Sequence, residues 1–273
     1  MDDIAELLDR VPGWSGRPRT VTPLEGGITN RNYRVDLDGE SFVARAPGQD
    51  TDLLGIDRDH EMEAAQRAAD LEIGPPVVAF IEPDGSLITR YVEGGPAEAL
   101  DRPPQLEAAA GLLRRFHASA PITPVFDWYR VPVDYAATAR DHGVVVPTAY
   151  DEAMAVAERV RVAFAAAPEP VCPCHNDLLP ANFLALPDGG LCLLDWEYAG
   201  MNDRYFDLGH FAVNNEFEPD GKEALVEAYF GSVTPRRLAR LRLMKVISDL
   251  REAMWGIVQA GVSSLDVDFL DYA

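Results

Sequence analysis

Cys174-His175-Asn176-Asp177-Leu178-Leu179-Pro180-Ala181-Asn182 decides how this chain is read, together with Asp195 in Leu194-Asp195-Trp196-Glu197, thirteen residues beyond Asn182. Between them, two short apolar runs at 183–186 and 191–194 flank Pro187-Asp188-Gly189-Gly190, the pattern of a tight hairpin. Such a hairpin returns Asp195 to the side of the loop that holds Asn182. The set is chemically coherent. A carboxylate at Asp177 can orient an attacking hydroxyl and take its proton. Asn182 and Asp195 supply hard oxygen donors of the kind that hold Mg²⁺ on phosphates. The plain alternative is that Asp177 and Asn182 build a turn and Asp195 ends a strand, because turns favour both residue types.

The rest of the composition narrows the setting. The chain has 273 residues, 47% of them hydrophobic, with 45 acidic and 24 basic residues and a net charge of −21. That balance fits one large domain or two modest lobes. It disfavours nucleic acid and anionic membrane partners and tolerates cationic ligands. The N-terminus MDDIAELLDR is acidic and amphipathic, unlike a targeting signal, and no apolar run reaches membrane-spanning length. Cys172, Cys174 and Cys192 are too few and too oddly spaced for a disulfide framework or a zinc site, which points to a reducing cytoplasm.

Residues 21–24, 33–37, 41–45, 77–81 and 87–91 read as strands, with Asp38-Gly39 and Asp84-Gly85 as hairpin turns. Residues 57–71 read as a helix stopped by Gly74-Pro75-Pro76. This predicts a small antiparallel sheet with one helix between its third and fourth strands. Glu93-Gly94-Gly95-Pro96 then breaks the pattern and is the expected hinge. Beyond it the spacing predicts helices at 104–119, 149–166, 222–230 and 235–262, the last opened by Thr234-Pro235.

HNDLLPANFL matches the kinase catalytic-loop pattern H-x-D-L-x-x-x-N, and LLDWE stands where kinases carry their metal-binding D-F-G. With LEGGITNRNYRV, RYVEGG, LLDWEYAGMNDRYFDLG and MWGIVQAGVSSLDVDFLDYA, the chain resembles the choline/ethanolamine kinases, including their bacterial LicA-like branch, over nearly its whole length. That family belongs to the wider aminoglycoside-phosphotransferase and protein-kinase-like superfamily. The resemblance implies an α+β, bilobal protein-kinase-like fold. Residues 1–92 would form a small antiparallel-sheet lobe that binds nucleotide, and 93–273 a mainly helical lobe that carries catalysis and the acceptor. It also implies ATP and Mg²⁺ as cofactors, with Asp177 as base and Asn182 and Asp195 as metal ligands.

Gly26-Gly27-Ile28-Thr29-Asn30 resembles the phosphate-covering turn, so Gly27, Thr29 and Asn30 are nucleotide candidates. Arg45 stands where kinases carry a phosphate-binding lysine, with Glu61 as its expected helix partner and Glu63 as the alternative. The backbone of Arg90, Tyr91 and Val92 is expected at adenine. Asp207 and His175 are expected to brace the loop, Asp207 with helix capping as its alternative. Leu179 replaces the lysine frequent in protein kinases, which points to a small-molecule acceptor.

A quaternary ammonium is held by aromatic faces and nearby acids. Glu252, Trp255 and Gln259 share one face of the last predicted helix, with Asp249 on a similar face. The resemblance adds Tyr272, and Trp196, Glu197 and Tyr198 lie next to the metal aspartate. Glu252 stands where eukaryotic relatives carry a second tryptophan, which shifts weight from choline towards ethanolamine or another amine. Thiamine and aminoglycoside kinases remain as alternatives within the superfamily, and a non-catalytic nucleotide- or amine-binding pseudokinase outside that class.

Overall fold

The computed structural model describes residues 2–24, 29–48, 50–263, 265 and 267–273. Helix α1 (Asp2–Asp9) precedes a five-stranded antiparallel sheet of β1 (Arg19–Leu24), β2 (Asn30–Leu37), β3 (Glu40–Pro47), β4 (Val77–Ile81) and β5 (Ser86–Arg90), in the order β1-β2-β3-β5-β4. Asp38 and Gly39 join β2 to β3 with φ of 50° and 83°, the backbone a two-residue hairpin demands. Helix α2 (Arg58–Asp70) falls between β3 and β4, as expected. The Asp57 carboxylate caps it by accepting from the N–H groups of Asp59 and His60.

Alternation along β3 decides what the sheet offers to the site. Phe42, Ala44 and Ala46 are buried against Leu7, Leu8, Val11 and Trp14, with Trp14 and Phe42 rings 4.8 Å apart. The period of two turns Val43 and Arg45 to the opposite face.

The rest of the chain runs β6 (Gly95–Pro96), α3 (Gln105–His117), α4 (Val131–Asp141), α5 (Ala149–Ala165), β7 (Cys172–Cys174), β8 (Phe183–Ala185), β9 (Leu191–Leu193), β10 (Gly200–Asn202), α6 (Arg204–Asn214), α7 (Pro219–Phe230), α8 (Pro235–Val262) and α9 (Phe269–Tyr272). The segment expected as a free hinge is partly strapped down: β6 pairs with β8, Gly95 opposite Ala185. A Cβ on Gly94 would lie 2.6 Å from the Ala185 carbonyl oxygen, so the close approach demands glycine. Helix α8 begins at Pro235 beneath the Thr234 cap, whose hydroxyl accepts from the Arg237 N–H at 3.2 Å. It packs against α4 and α6. Among the described residues, no helix is long and apolar enough to cross a membrane.

Candidate active site

Strands β7 and β10 pair antiparallel, Cys174 opposite Gly200, and so fix both ends of the segment from His175 to Tyr198. Asp207, fully buried in α6, accepts from the backbone N–H groups of His175 at 2.8 Å and Asn176 at 2.7 Å. His117 of α3 lies 2.9 Å from the same carboxylate. The cap of α6 is Asp203, whose side chain accepts from Tyr205 N–H; Asp207 is free to brace the loop. His175 accepts from the Asp177 N–H at Nδ1 (3.2 Å), which leaves Nε2–H to donate to the Leu194 carbonyl at 2.9 Å. The imidazole thus links the two motifs, and burial pushes its pKa down. Asn176 and Asp195 hold φ of 65° and 62°, a left-handed backbone that Asn and Asp tolerate better than most residues.

Asn182 donates its amide to the Asp177 carbonyl at 2.8 Å and lies 3.3 Å from Asp177 Oδ2. The Leu194 N–H bonds to the Asn182 carbonyl at 2.9 Å, so the hairpin returns Asp195 beside the loop. Arg45 reaches across from the sheet. Its guanidinium pairs with Glu61, which is 2% exposed, and with Asp195 Oδ1 at 2.8 Å. Glu63 instead accepts from the Thr123 N–H at 3.1 Å.

Other nucleotide candidates are placed differently. Thr29 Oγ1 and Asn30 Nδ2 donate to the two oxygens of Glu197 at 2.7 and 2.9 Å, and Arg58 adds a third contact at 3.2 Å. Glu197 is therefore buried in a polar tie to the sheet, where burial raises its pKa with Asp195 adding to the effect. It is not an open acceptor contact. The Arg90 side chain leaves the cleft, pairing with Glu40 and lying over Phe42. The N–H groups of Arg90 and Tyr91 are committed to the carbonyls of Pro76 and Ser41 at 2.8 and 3.0 Å, which moves any backbone donor for adenine to Val92 and beyond. Gly27 lies outside the described residues.

The acceptor side gathers on α8. Arg251, which the sequence reading missed, is 1% exposed; its Nη1 lies 3.2 Å from Asp177 Oδ1 and pairs with Glu252. Its guanidinium carbon sits 4.4 Å from the centre of the Tyr198 ring. Trp255 donates its indole N–H to the Tyr198 hydroxyl at 3.0 Å, and the Tyr272 hydroxyl donates to Glu252 at 2.9 Å. Trp255 also packs edge-on to Phe269 and Tyr272. Asp177, Glu252, Trp255, Tyr198 and Tyr272 are thus one connected group. Asp249 is not in it: it pairs with Lys245 at 2.8 Å on the exposed side of α8. Trp196 is also outside it, buried against Phe116 and His175 with its indole on the Leu193 carbonyl.

Electrostatics separate the groups around Asp177. Burial pushes its carboxyl up to about 7; Arg251 opposes this, and Glu252, Asp195 and Glu197 add to it. Burial also works against the Glu252 carboxylate, yet Arg251 and then His210 outweigh it and hold that pKa low. Burial drives His210 down to about 4, so the imidazole is neutral at pH 7, 3.7 Å from Asp177. A carboxyl poised near neutrality beside a carboxylate and a permanent guanidinium is suited to taking a proton from a hydroxyl held next to a cationic group.

Residues 20–243 match the phosphotransferase enzyme family. A solved choline/ethanolamine kinase family protein from Mesorhizobium loti is 31% identical, superposes with a TM-score of 0.84, and is aligned over 100% of this chain and 90% of its own. Protein LicA of Haemophilus influenzae is 28% identical over 264 residues, 91% of this chain and 75% of its own length. Ethanolamine kinase 2 of Mus musculus is 26% identical over 96% of this chain and 75% of its own.

Proposed function

The chain belongs to the phosphotransferase enzyme family, among its choline/ethanolamine kinases, and on that premise we propose that it transfers the terminal phosphoryl group of ATP to the hydroxyl of a small amino alcohol. The nucleotide occupies the cleft between a lobe of residues 1–92 and a lobe of residues 93–273. Arg45, oriented by Glu61, meets its phosphates, and the backbone from Val92 meets adenine. Asp177 orients the acceptor hydroxyl and takes its proton as the phosphoryl group arrives.

Asn182 and Asp195 fit a divalent cation. The Asn182 amide nitrogen is held by the Asp177 carbonyl, so its oxygen is the atom left to coordinate. Asp195 uses Oδ1 on Arg45, which leaves Oδ2. Mg²⁺ bound there would neutralise charge on the phosphates. Glu252 and Tyr272, with Trp255 and Tyr198 behind them, form the seat for the acceptor's ammonium. One observation supports this reading above the others: Asp177, Asn182 and Asp195 converge in one hydrogen-bonded frame that faces both Arg45 and the aromatic-acidic group on α8.

The test is ADP release from Mg·ATP with choline, ethanolamine, thiamine and an aminoglycoside as acceptors. Amino-alcohol-dependent turnover is expected, reduced by roughly two to four orders of magnitude in Asp177→Ala, with ATP binding retained. Turnover confined to thiamine or the aminoglycoside would refute the acceptor class; near-normal turnover in the variant would refute the base.

A further inference from the structure

Resting on the amino-alcohol reading above, we propose that Arg251 sets which ammonium the acceptor carries: its guanidinium fills the aromatic-and-acid seat beside Asp177 and leaves room only for an ammonium that donates hydrogen bonds. A quaternary ammonium has no N–H. It is held by aromatic faces and nearby carboxylates in a desolvated pocket. Those features are present here, and the Tyr198 face with one oxygen each of Asp177 and Glu252 is already used by the chain itself. The guanidinium carbon lies 4.4 Å from the Tyr198 ring centre. Nη1 lies 3.2 Å from Asp177 and pairs with Glu252.

The orientation of the group agrees. Nε and Nη2 of Arg251 are buried and have no hydrogen-bond partner among the described residues. They are held by the ring face and by charge, the means by which a bound ammonium would be held. The ring is fixed in turn, because the Trp255 indole donates to the Tyr198 hydroxyl. Arg251 is thus a resident cation in a cation seat.

What remains for the acceptor is polar. Glu252 Oε2 accepts from Tyr272, a residue that is 54% exposed, and a carboxylate with free lone-pair sites can take further donors. Each N-methyl group removes one donor and adds bulk where Arg251 already sits.

Steady-state kinetics with ethanolamine, its N-methyl and N,N-dimethyl derivatives, and choline test this. In the unaltered protein kcat/KM is expected to fall with each methyl, choline standing about tenfold or more below ethanolamine, the ratio that one cation–aromatic contact supplies. Arg251→Met should lower turnover on all four yet flatten or invert the order; Arg251→Lys should keep it. Glu252→Gln, which leaves Arg251 in place, should penalise ethanolamine more than choline. Choline used as well as ethanolamine by the unaltered protein overturns the proposal. So does an unchanged order in Arg251→Met or, should that variant not fold, an equal loss on both acceptors in Glu252→Gln. No turnover on any of the four removes the amino-alcohol reading itself, and this proposal with it.

Discussion

Asp207 places one buried carboxylate on two backbone N–H groups of the loop just before the base and on His117. Burial pushes its pKa up, but the His117 hydrogen bond, then the charges of His117 and His175, outweigh burial and hold it low. A depressed folded pKa contributes stability above the unfolded value, and that contribution disappears as pH falls through the folded one. Asp207→Asn should therefore cost about 3 kcal/mol at pH 7. The gap in urea midpoint should hold down to about pH 5 and narrow below about 4. His117, His175, His210, Cys172, Cys174 and Tyr229 are titratable groups that act on it or feel its charge; a gap unchanged down to the lowest pH at which the protein stays folded would exclude the carboxylate as its source. The bracing position of Asp207 was legible from its motif, whereas Arg251 was not read at all. A charged residue on a helix reads as solvated, and only its register gives it away: Met244, Ile247, Met254 and Val258 are buried on the same helix, and Arg251 falls on their stripe. Knowing that its charge could be buried required Asp177 and Tyr198, which are remote in sequence.

Helices and strands with strong local punctuation were the readable elements. Helix α8 runs Pro235–Val262 as the Thr234-Pro235 start predicts, and β2–β3 and β4–β5 follow their Asp-Gly turns. Helix α6 escaped because its residues from Tyr205 to Ala212, Asp207 and His210 included, are all buried, so its polar residues do not mark a solvent face. Helix α4 packs small residues, Ala136 and Ala139, behind Pro132. Strands β7 and β10 have three residues each, too short for alternation to register. The crossing of α6 over α8 depends on one glycine. A Cβ on Gly209 would meet the backbone nitrogen of Lys245 at 2.7 Å and the carbonyl carbon of Met244 at 2.8 Å, atoms that cannot rotate away. Gly209→Ala should thus push the helices apart and cost about 1–3 kcal/mol, read by denaturant unfolding. Because Arg251 and Glu252 ride on α8 two turns further on, acceptor KM should rise more than ATP KM. Equal changes in both would show that α8 moves as a rigid piece without disturbing the acceptor seat.

At the scale of the whole molecule, the sheet meets the helical part through two carboxylates two residues apart. Asp195 takes Arg45 from β3, and Glu197 takes Thr29, Asn30 and Arg58. One short stretch after β9 therefore carries a candidate metal ligand and the principal polar tie between the two parts, so the position of the sheet and the position of Asp195 are set together. Glu197 is buried, as is Asn30, and removing one partner of such a set leaves the others uncompensated. Glu197→Ala should cost about 3 kcal/mol of stability and, by letting the sheet shift against the loop, raise ATP KM more than acceptor KM. Local packing loss alone would lower stability without that bias. A double-mutant cycle with Asn30→Ala separates the two, since residues acting through one hydrogen bond give a coupling of about 0.5–3 kcal/mol. Coupling seen in stability and again in ATP KM means that Glu197 holds the nucleotide cleft in shape. Coupling in stability with ATP KM unchanged would leave that task to Arg45 and Asp195.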